Sequence, residues 1–173
     1  MKPIYIKKLL ISEINKVASE PHNYCTNPDT DFTRNRKLSM EKMLQGIIGM
    51  ESKSLTNELL DLFDASAETP SASAFIQQRD KIRPIAFESI FKNFSKKLMN
   101  SFDNDIPVFA IDGSDIQIPT NPTDTESYIA GTNGHKGYNL LHINALYDLN
   151  KHIYSDVIIQ KARERNEHKA FQE

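Results

Sequence analysis

Pro107-Val108-Phe109-Ala110-Ile111-Asp112-Gly113-Ser114-Asp115-Ile116-Gln117-Ile118-Pro119 is the stretch on which the fold turns. It is apolar, rich in β-formers and fenced by prolines, so it predicts a strand of the buried kind, interrupted in the middle by a polar Asp-Gly-Ser-Asp. Upstream of it the apolar residues recur with a helical period. Downstream they favour strands. Helices first and strands afterwards predict an α+β chain.

Upstream, Ile6, Leu10, Ile14 and Val17 share one helical face over 4–18, and the helix stops near Pro21. Residues 21–36 are loop-like. Ser39 is placed to cap a helix carrying Met40, Met43, Leu44, Ile47 and Ile48. Gly46 and Gly49 weaken that helix and allow close packing or an early end. Ser54 caps a helix with Leu55, Leu59, Leu62 and Phe63 on one face. Ser71 starts another, over 71–82, with Ala72, Phe75, Ile76 and Ile82 inward. Pro84 precedes a fifth, striped by Phe87, Phe91, Phe94 and Leu98. Residues 1–99 therefore read as an all-helical module.

Downstream, residues 120–136 read as loop. Gly137–Leu149 and His152–Gln160 read as strands that the reversal at Asp148-Leu149-Asn150-Lys151 pairs into an antiparallel hairpin. A helix is expected to begin around Asn166. The second unit is thus 106–173: three strands and the start of a helix.

Composition sets bounds. The 173 residues are 39% hydrophobic and 25% charged, ordinary globular values that exclude wholesale disorder. No run is apolar enough to span a membrane, and the N-terminus lacks a secretory pattern. One cysteine, Cys25, permits no intrachain disulfide and suits a reducing cytoplasm. Residues 1–99 hold 15 Lys+Arg against 12 Asp+Glu; residues 100–173 hold 6 against 11. A basic half suits phosphates and an acidic half suits cations, although chance asymmetry would look the same.

Asp112 is the candidate catalytic and metal-binding residue. A carboxylate among apolar strand residues is costly unless something pairs with it, and a rigid strand is a good mount for a ligand to Mg²⁺. Strand alternation puts Asp112 on the side of Ala110 and Ser114, with Asp115 on the other. Gly113 marks a possible bulge or close approach. The plainer reading is an Asp-Gly turn ending the strand. Asp148 reads as a turn residue, and Asp156 as facing solvent on the hairpin or edging a site. The five histidines have no zinc-ligand spacing, and Cys25 has no partner base, so it reads as structural. The glycine-rich Gly131–Gly137 segment reads as a loop, in which Lys136 and His135 could touch a DNA backbone.

For DNA, the helices at 54–63 and 71–82 invite a helix-turn-helix reading, although the joint is long for that motif. Gln77, Gln78, Arg79 and Lys81 stand on the second helix, and Gln and Arg can read base edges. Arg34, Arg36 and Lys37 form a second basic run suited to phosphates. A solvated helix face and a solvated loop would carry the same residues.

Several segments together resemble the N-terminal part of a bacterial insertion-sequence DDE transposase of the type-four insertion-sequence group. They are Asp31–Leu38, Ser54–Leu60, Thr69–Arg79 and Ala110–Ser114, with Gly134–Asn139 and Arg163–Glu167 adding to them. The likeness covers about residues 28–173. It implies a helical DNA-binding module followed by a ribonuclease-H-like mixed α/β domain, in a cytoplasmic bacterial enzyme. It also implies that two Mg²⁺ ions held by three acidic residues support DNA cleavage and strand transfer at transposon ends, within a complex that could include a homodimer. The first acidic residue carries over onto Asp112. Nothing here matches the second Asp or the Glu, and neither Asp148 nor Asp156 takes their place. The chain therefore resembles a truncated form, expected to be inactive alone. The alternatives are a stand-alone DNA-binding or regulatory remnant without catalysis, and an unrelated α+β protein whose Asp112 is structural.

Overall fold

The computed structural model describes residues 2–34, 36–101, 106–132 and 134–166. Among them are five α-helices: α1 (Pro3–Ala18), α2 (Met40–Gly49), α3 (Leu55–Leu62), α4 (Ala72–Arg79) and α5 (Ile85–Met99). Four strands follow: β1 (Phe109–Ile118), β2 (Tyr128–Ile129), β3 (Tyr138–Asp148) and β4 (Ile153–Lys161). The molecule is α+β, with an open, wholly antiparallel sheet. It divides into two compact units, Met1–Phe94 and Ser95–Glu173, at a boundary inside α5.

In the first unit, three serines open three helices as expected. Ser39 Oγ accepts from Lys42 N–H at 3.3 Å, Ser54 Oγ from Asn57 N–H at 3.5 Å, and Ser71 Oγ from Ala74 N–H at 3.2 Å. Each satisfies a backbone donor that a helix leaves orphaned at its start. Met43 and Leu44 of α2 are fully buried, against Ile14 and Val17 of α1, Leu59 of α3, Phe75 of α4 and Ile90 of α5. Gly46 lets α3 come close: a methyl group there would meet Leu62 Cδ2 at 2.7 Å. Gly49 is the last residue of α2.

Three expectations for the helices are corrected. The helix over 71–82 ends at Arg79, and Ile82 instead forms a β-bridge with Cys25. Ile76, placed inward by sequence, is exposed, because α4 turns Phe75 alone fully into the core. On α5 the buried positions are Ala86 and Ile90, and past the unit boundary Ser95 and Leu98, while Phe87, Phe91 and Phe94 are only half-buried.

In the second unit β3 is the central strand. β1 pairs along one side of it; β4, and beyond its end β2, pair along the other. β1, β3 and β4 form a meander, with the last connection made by the expected turn. Asp148 Oδ1 accepts from the N–H groups of Asn150 and Lys151, each at 3.0 Å, which is the turn role the sequence assigns to it. The loop over 120–136 contains β2, which sequence reading missed. The helix expected from Asn166 falls on 167–173, outside the described residues; a single 3-10 turn, Ala162–Glu164, precedes it.

β1 is also corrected. It runs unbroken through Asp-Gly-Ser-Asp, in regular register with β3 from Phe109↔Asp148 to Ile118↔Asn139. Gly113 makes no bulge; the irregularity lies between Leu146 and Tyr147, in the β3–β4 pairing. Nor is β1 a buried strand. Phe109, Ile111 and Ile116 are each more than two-fifths exposed, because β1 is paired on one side only among the described residues. The apolar run was read correctly as a strand, but a run cannot reveal whether anything covers it.

Candidate nucleic-acid interface and the strand carboxylate

The loop between α1 and α2 is held against α4 at both ends. Thr26 N–H donates to the Lys81 carbonyl at 2.8 Å, and Arg83 N–H to the Tyr24 carbonyl at 2.8 Å. Asp31 is buried. Its Oδ2 accepts from the backbone and side-chain amides of Asn27, and its Oδ1 lies 3.9 Å from Lys81 Nζ. At the other end Lys37 Nζ lies 2.6 Å from Glu68 Oε2, just before α4 begins. The loop is thus tied to the segments that flank α4, to Lys81–Arg83 after it and to Glu68 before it.

Arg34, Arg36 and Gln77 are exposed. Arg34 also borders an open cleft of about 430 Å³ shared with Asn15, Ser19, Phe32 and Ser39. The other candidates are partly engaged. Gln77 Nε2 leans on Ser73 Oγ at 3.4 Å, Gln78 is half-buried, and Arg79 is turned onto Asp80 at 3.1 Å. Lys37 and Lys81 meet Glu68 and Asp31 as described.

The neighbouring α3 is the wrong sign for a helix laid on phosphates. Asp61 is paired with Lys53, Glu58 accepts from the N–H groups of Glu51 and Lys53, and Asp64 and Glu68 follow. Residues 63–71 separate α3 from α4, and the turn leaves α3 through left-handed Asp64 and Ala65. A helix-turn-helix places its first helix across the backbone over a joint of three or four residues. With nine residues at the joint, α3 and α4 do not match that motif.

In the second unit Asp112 sits in the middle of β1, opposite Ala145 of β3, which in turn faces Val157 of β4. It is exposed and makes no hydrogen bond or ion pair among the described residues. The Asp-Gly turn reading is therefore excluded, and so is the argument from the cost of burial: this carboxylate is in water. Asp115, three residues on, belongs to the opposite face as alternation requires. There His142, fully buried, brings Nδ1 to 2.7 Å from Asp115 Oδ1, and Arg165 Nη1 lies 3.4 Å from Oδ2. The His142 hydrogen bond, aided by the Arg165 charge, holds the Asp115 carboxyl below its ordinary range. Gln160 continues the row, accepting from Asn144 Nδ2 at 3.1 Å and from Asn166 N–H at 3.0 Å.

The described residues hold no group of three or more His, Cys, Asp or Glu placed for a metal ion. Asp112 offers one carboxylate, Asp115 is committed on the other face, Asp148 caps its turn, and Asp156 accepts from Val157 N–H at 2.9 Å. They do not make up the two-ion Mg²⁺ site that the resemblance implies, and no reaction step is assigned to it. Lys136 is exposed in the loop ahead of β3, where Gly131 lies so close to the His135 carbonyl that no side chain would fit.

Sequence reading missed two polar constellations. One is the Asp115–His142–Arg165 set. The other centres on Asn139, fully buried, whose Oδ1 accepts from Asn121 N–H at 2.7 Å and whose Nδ2 donates to the Asn121 carbonyl at 3.0 Å and to Ser127 Oγ at 2.8 Å. Ser127 in turn donates to Asp124 Oδ2 at 2.6 Å. This network fastens the 120–127 loop to the start of β3. Cys25 is buried, and burial pushes its thiol pKa up, away from a reactive thiolate. No helix among the described residues is long and apolar enough to cross a membrane. No family model, curated protein or solved structure matches the chain.

Proposed function

We propose that the chain serves DNA transposition: its helical unit binds transposon-end DNA, and its strand unit carries the first carboxylate of a DDE-type, ribonuclease-H-like domain. The observation that carries the reading is Asp112, exposed and, among the described residues, without a hydrogen-bond or ion-pair partner at mid-strand on β1, the first strand of an antiparallel meander. A carboxylate so placed is free to take partners from outside the described residues. In the proposed reading those partners are two Mg²⁺ ions and two further acidic residues. Such ions would supply charge stabilisation and activation of the attacking oxygen. The described residues do not complete that site, so we propose that these 173 residues bind DNA without cutting it.

Supporting the DNA-binding half are the exposed Arg34 and Arg36, in a loop tied to the segments that flank α4, and the exposed Gln77 on α4. The partner is duplex DNA read chiefly through its backbone, with α4 the element able to reach base edges. The test is a labelled-duplex titration across a salt series, with a Mg²⁺-dependent nicking assay on the same samples. Binding that weakens steadily with salt, without nicking, is expected. No binding at low salt overturns the DNA reading. Mg²⁺-dependent cleavage that disappears in Asp112→Ala overturns the claim that these residues cannot cut alone.

A further inference from the structure

Gly113 makes no bulge, yet a glycine weakens the middle of a strand, and its other use there is to let a second backbone come close. The side of β1 away from β3 has no strand on it among the described residues. Leu149 N–H donates to the Val108 carbonyl at 2.8 Å, in the same register that runs down the two strands. Hydrogen-bonded pairs alternate from there. Ala110, Asp112, Ser114, Ile116 and Ile118 therefore direct their backbone groups to β3, while Phe109, Ile111, Gly113, Asp115 and Gln117 turn theirs outward. The usual guards of an edge are missing. Phe109–Ile118 holds no lysine, arginine or proline, and its pairing with β3 has no irregularity. The outer side of β4 is likewise unpaired among the described residues, but β4 carries both Lys161 and the irregularity opposite Leu146 and Tyr147.

We infer that the outer side of β1 is an interface for a second copy of this chain, the two β1 strands pairing antiparallel about a two-fold axis through Gly113. Two-fold pairs are the commonest closed assembly, and the side chains choose the register. Outward groups must face outward groups, so the axis passes through a residue of the strand. Centring on Asp112 or Asp115 sets like charges face to face, which is destabilising. Centring on Ser114 sets Asp112 against Ile116. Centres nearer either end pair fewer residues. Centring on Gly113 pairs residues 109–117 and puts no side chain where the strands cross. It sets Asp112 opposite Ser114 of the second copy, whose hydroxyl can donate to the carboxylate. Ile116, 46% exposed in the single chain, then lies against Ala110 of the second copy. Ile111 faces Asp115, whose carboxylate is already turned to His142 and Arg165. The two Asp112 residues lie diagonally across the axis, roughly 7–8 Å apart, where water screens them. The two meanders become one continuous antiparallel sheet. No basic residue of the helical unit takes part, so the inference stands apart from the DNA-binding reading.

The experiment uses the full chain in sedimentation equilibrium over a concentration series. Wild type is expected to pass from monomer to dimer. Ser114→Asp puts a carboxylate opposite each Asp112 and should weaken dimerisation about tenfold. Adding Asp112→Lys should restore the dimer, because lysine then faces aspartate. Both positions are exposed, so neither substitution disturbs a packed core. Cysteine pairing reads the register separately. Asp112→Cys and Ser114→Cys chains, mixed with oxidised glutathione as the electron acceptor, should link to one another, since directly opposite Cα atoms of this kind of pair lie about 4.5 Å apart. Either variant alone should stay unlinked, and the wild-type thiol, Cys25, is buried. Four results overturn the inference: monomer at every concentration, a Ser114→Asp dimer as tight as wild type, no recovery on adding Asp112→Lys, or either cysteine variant linking to itself as readily as to the other.

Discussion

His142 Nδ1 lies 2.7 Å from Asp115 Oδ1, joining β1 to β3 from residues that face each other in the sheet register. An ionised carboxylate only accepts, so Nδ1 carries the proton. The hydrogen bond lowers the Asp115 pKa below its ordinary value of 3.8. A lowered carboxyl pKa contributes stability above the unfolded value and loses it as pH falls through the folded one. The urea midpoint of wild type should therefore exceed that of Asp115→Asn at neutral pH, and the gap should close as pH drops below about 4. A gap that widens on acidification would contradict this account.

Phe75→Ala and Ile76→Ala test the phase of α4. Phe75 is 1% exposed and Ile76 38%. The first substitution should cost about 3–5 kcal/mol, as for large aromatic truncations in a core, and the second under about 1 kcal/mol. Denaturant unfolding of the pair measures both. Equal costs would restore the inward Ile76 that the sequence pattern suggests.

Asn139→Ala removes the hub of the 120–127 loop: Asn121 loses its side-chain partner, and Ser127 Oγ keeps only Asp124. Losing such hydrogen bonds costs about 0.5–1.5 kcal/mol each. Amide exchange should accelerate over 120–129 and spare β4. Uniform acceleration across the sheet would show that Asn139 supports the whole sheet and not the loop.

Arg34→Ala and Arg36→Ala should each reduce the salt slope of DNA binding by about 0.9, while Asp112→Ala leaves affinity unchanged or slightly raised. A loss of binding in Asp112→Ala would place that carboxylate in a structural role that its exposure does not suggest.

What was legible in the sequence was local. Ser39, Ser54 and Ser71 were identifiable as caps because a cap bonds a backbone group three residues away. The turn at Asp148 was readable for the same reason. What escaped was set by residues distant in sequence. Ile82 leaves the α4 pattern because Cys25, across the unit, offers it a bridge. β2 exists only because Tyr138 and Asn139 are there to pair with it. His142 was searched against other histidines, whereas its partner lies 27 residues back, across the register. A strand pairing, once assumed, would have exposed that relationship: alternation in β1 and β3 puts Asp115 and His142 on one face.

Among the described residues the outer margin of β1 is unpaired, which has a practical consequence. Every second residue of this ten-residue strand turns its N–H and C=O outward to whatever extended peptide drifts past, with Phe109, Ile111 and Ile116 standing out as adhesive side chains. Such a ribbon recruits its own kind as concentration rises. Dilution, or the substitution Ile111→Lys, should therefore keep the protein in solution.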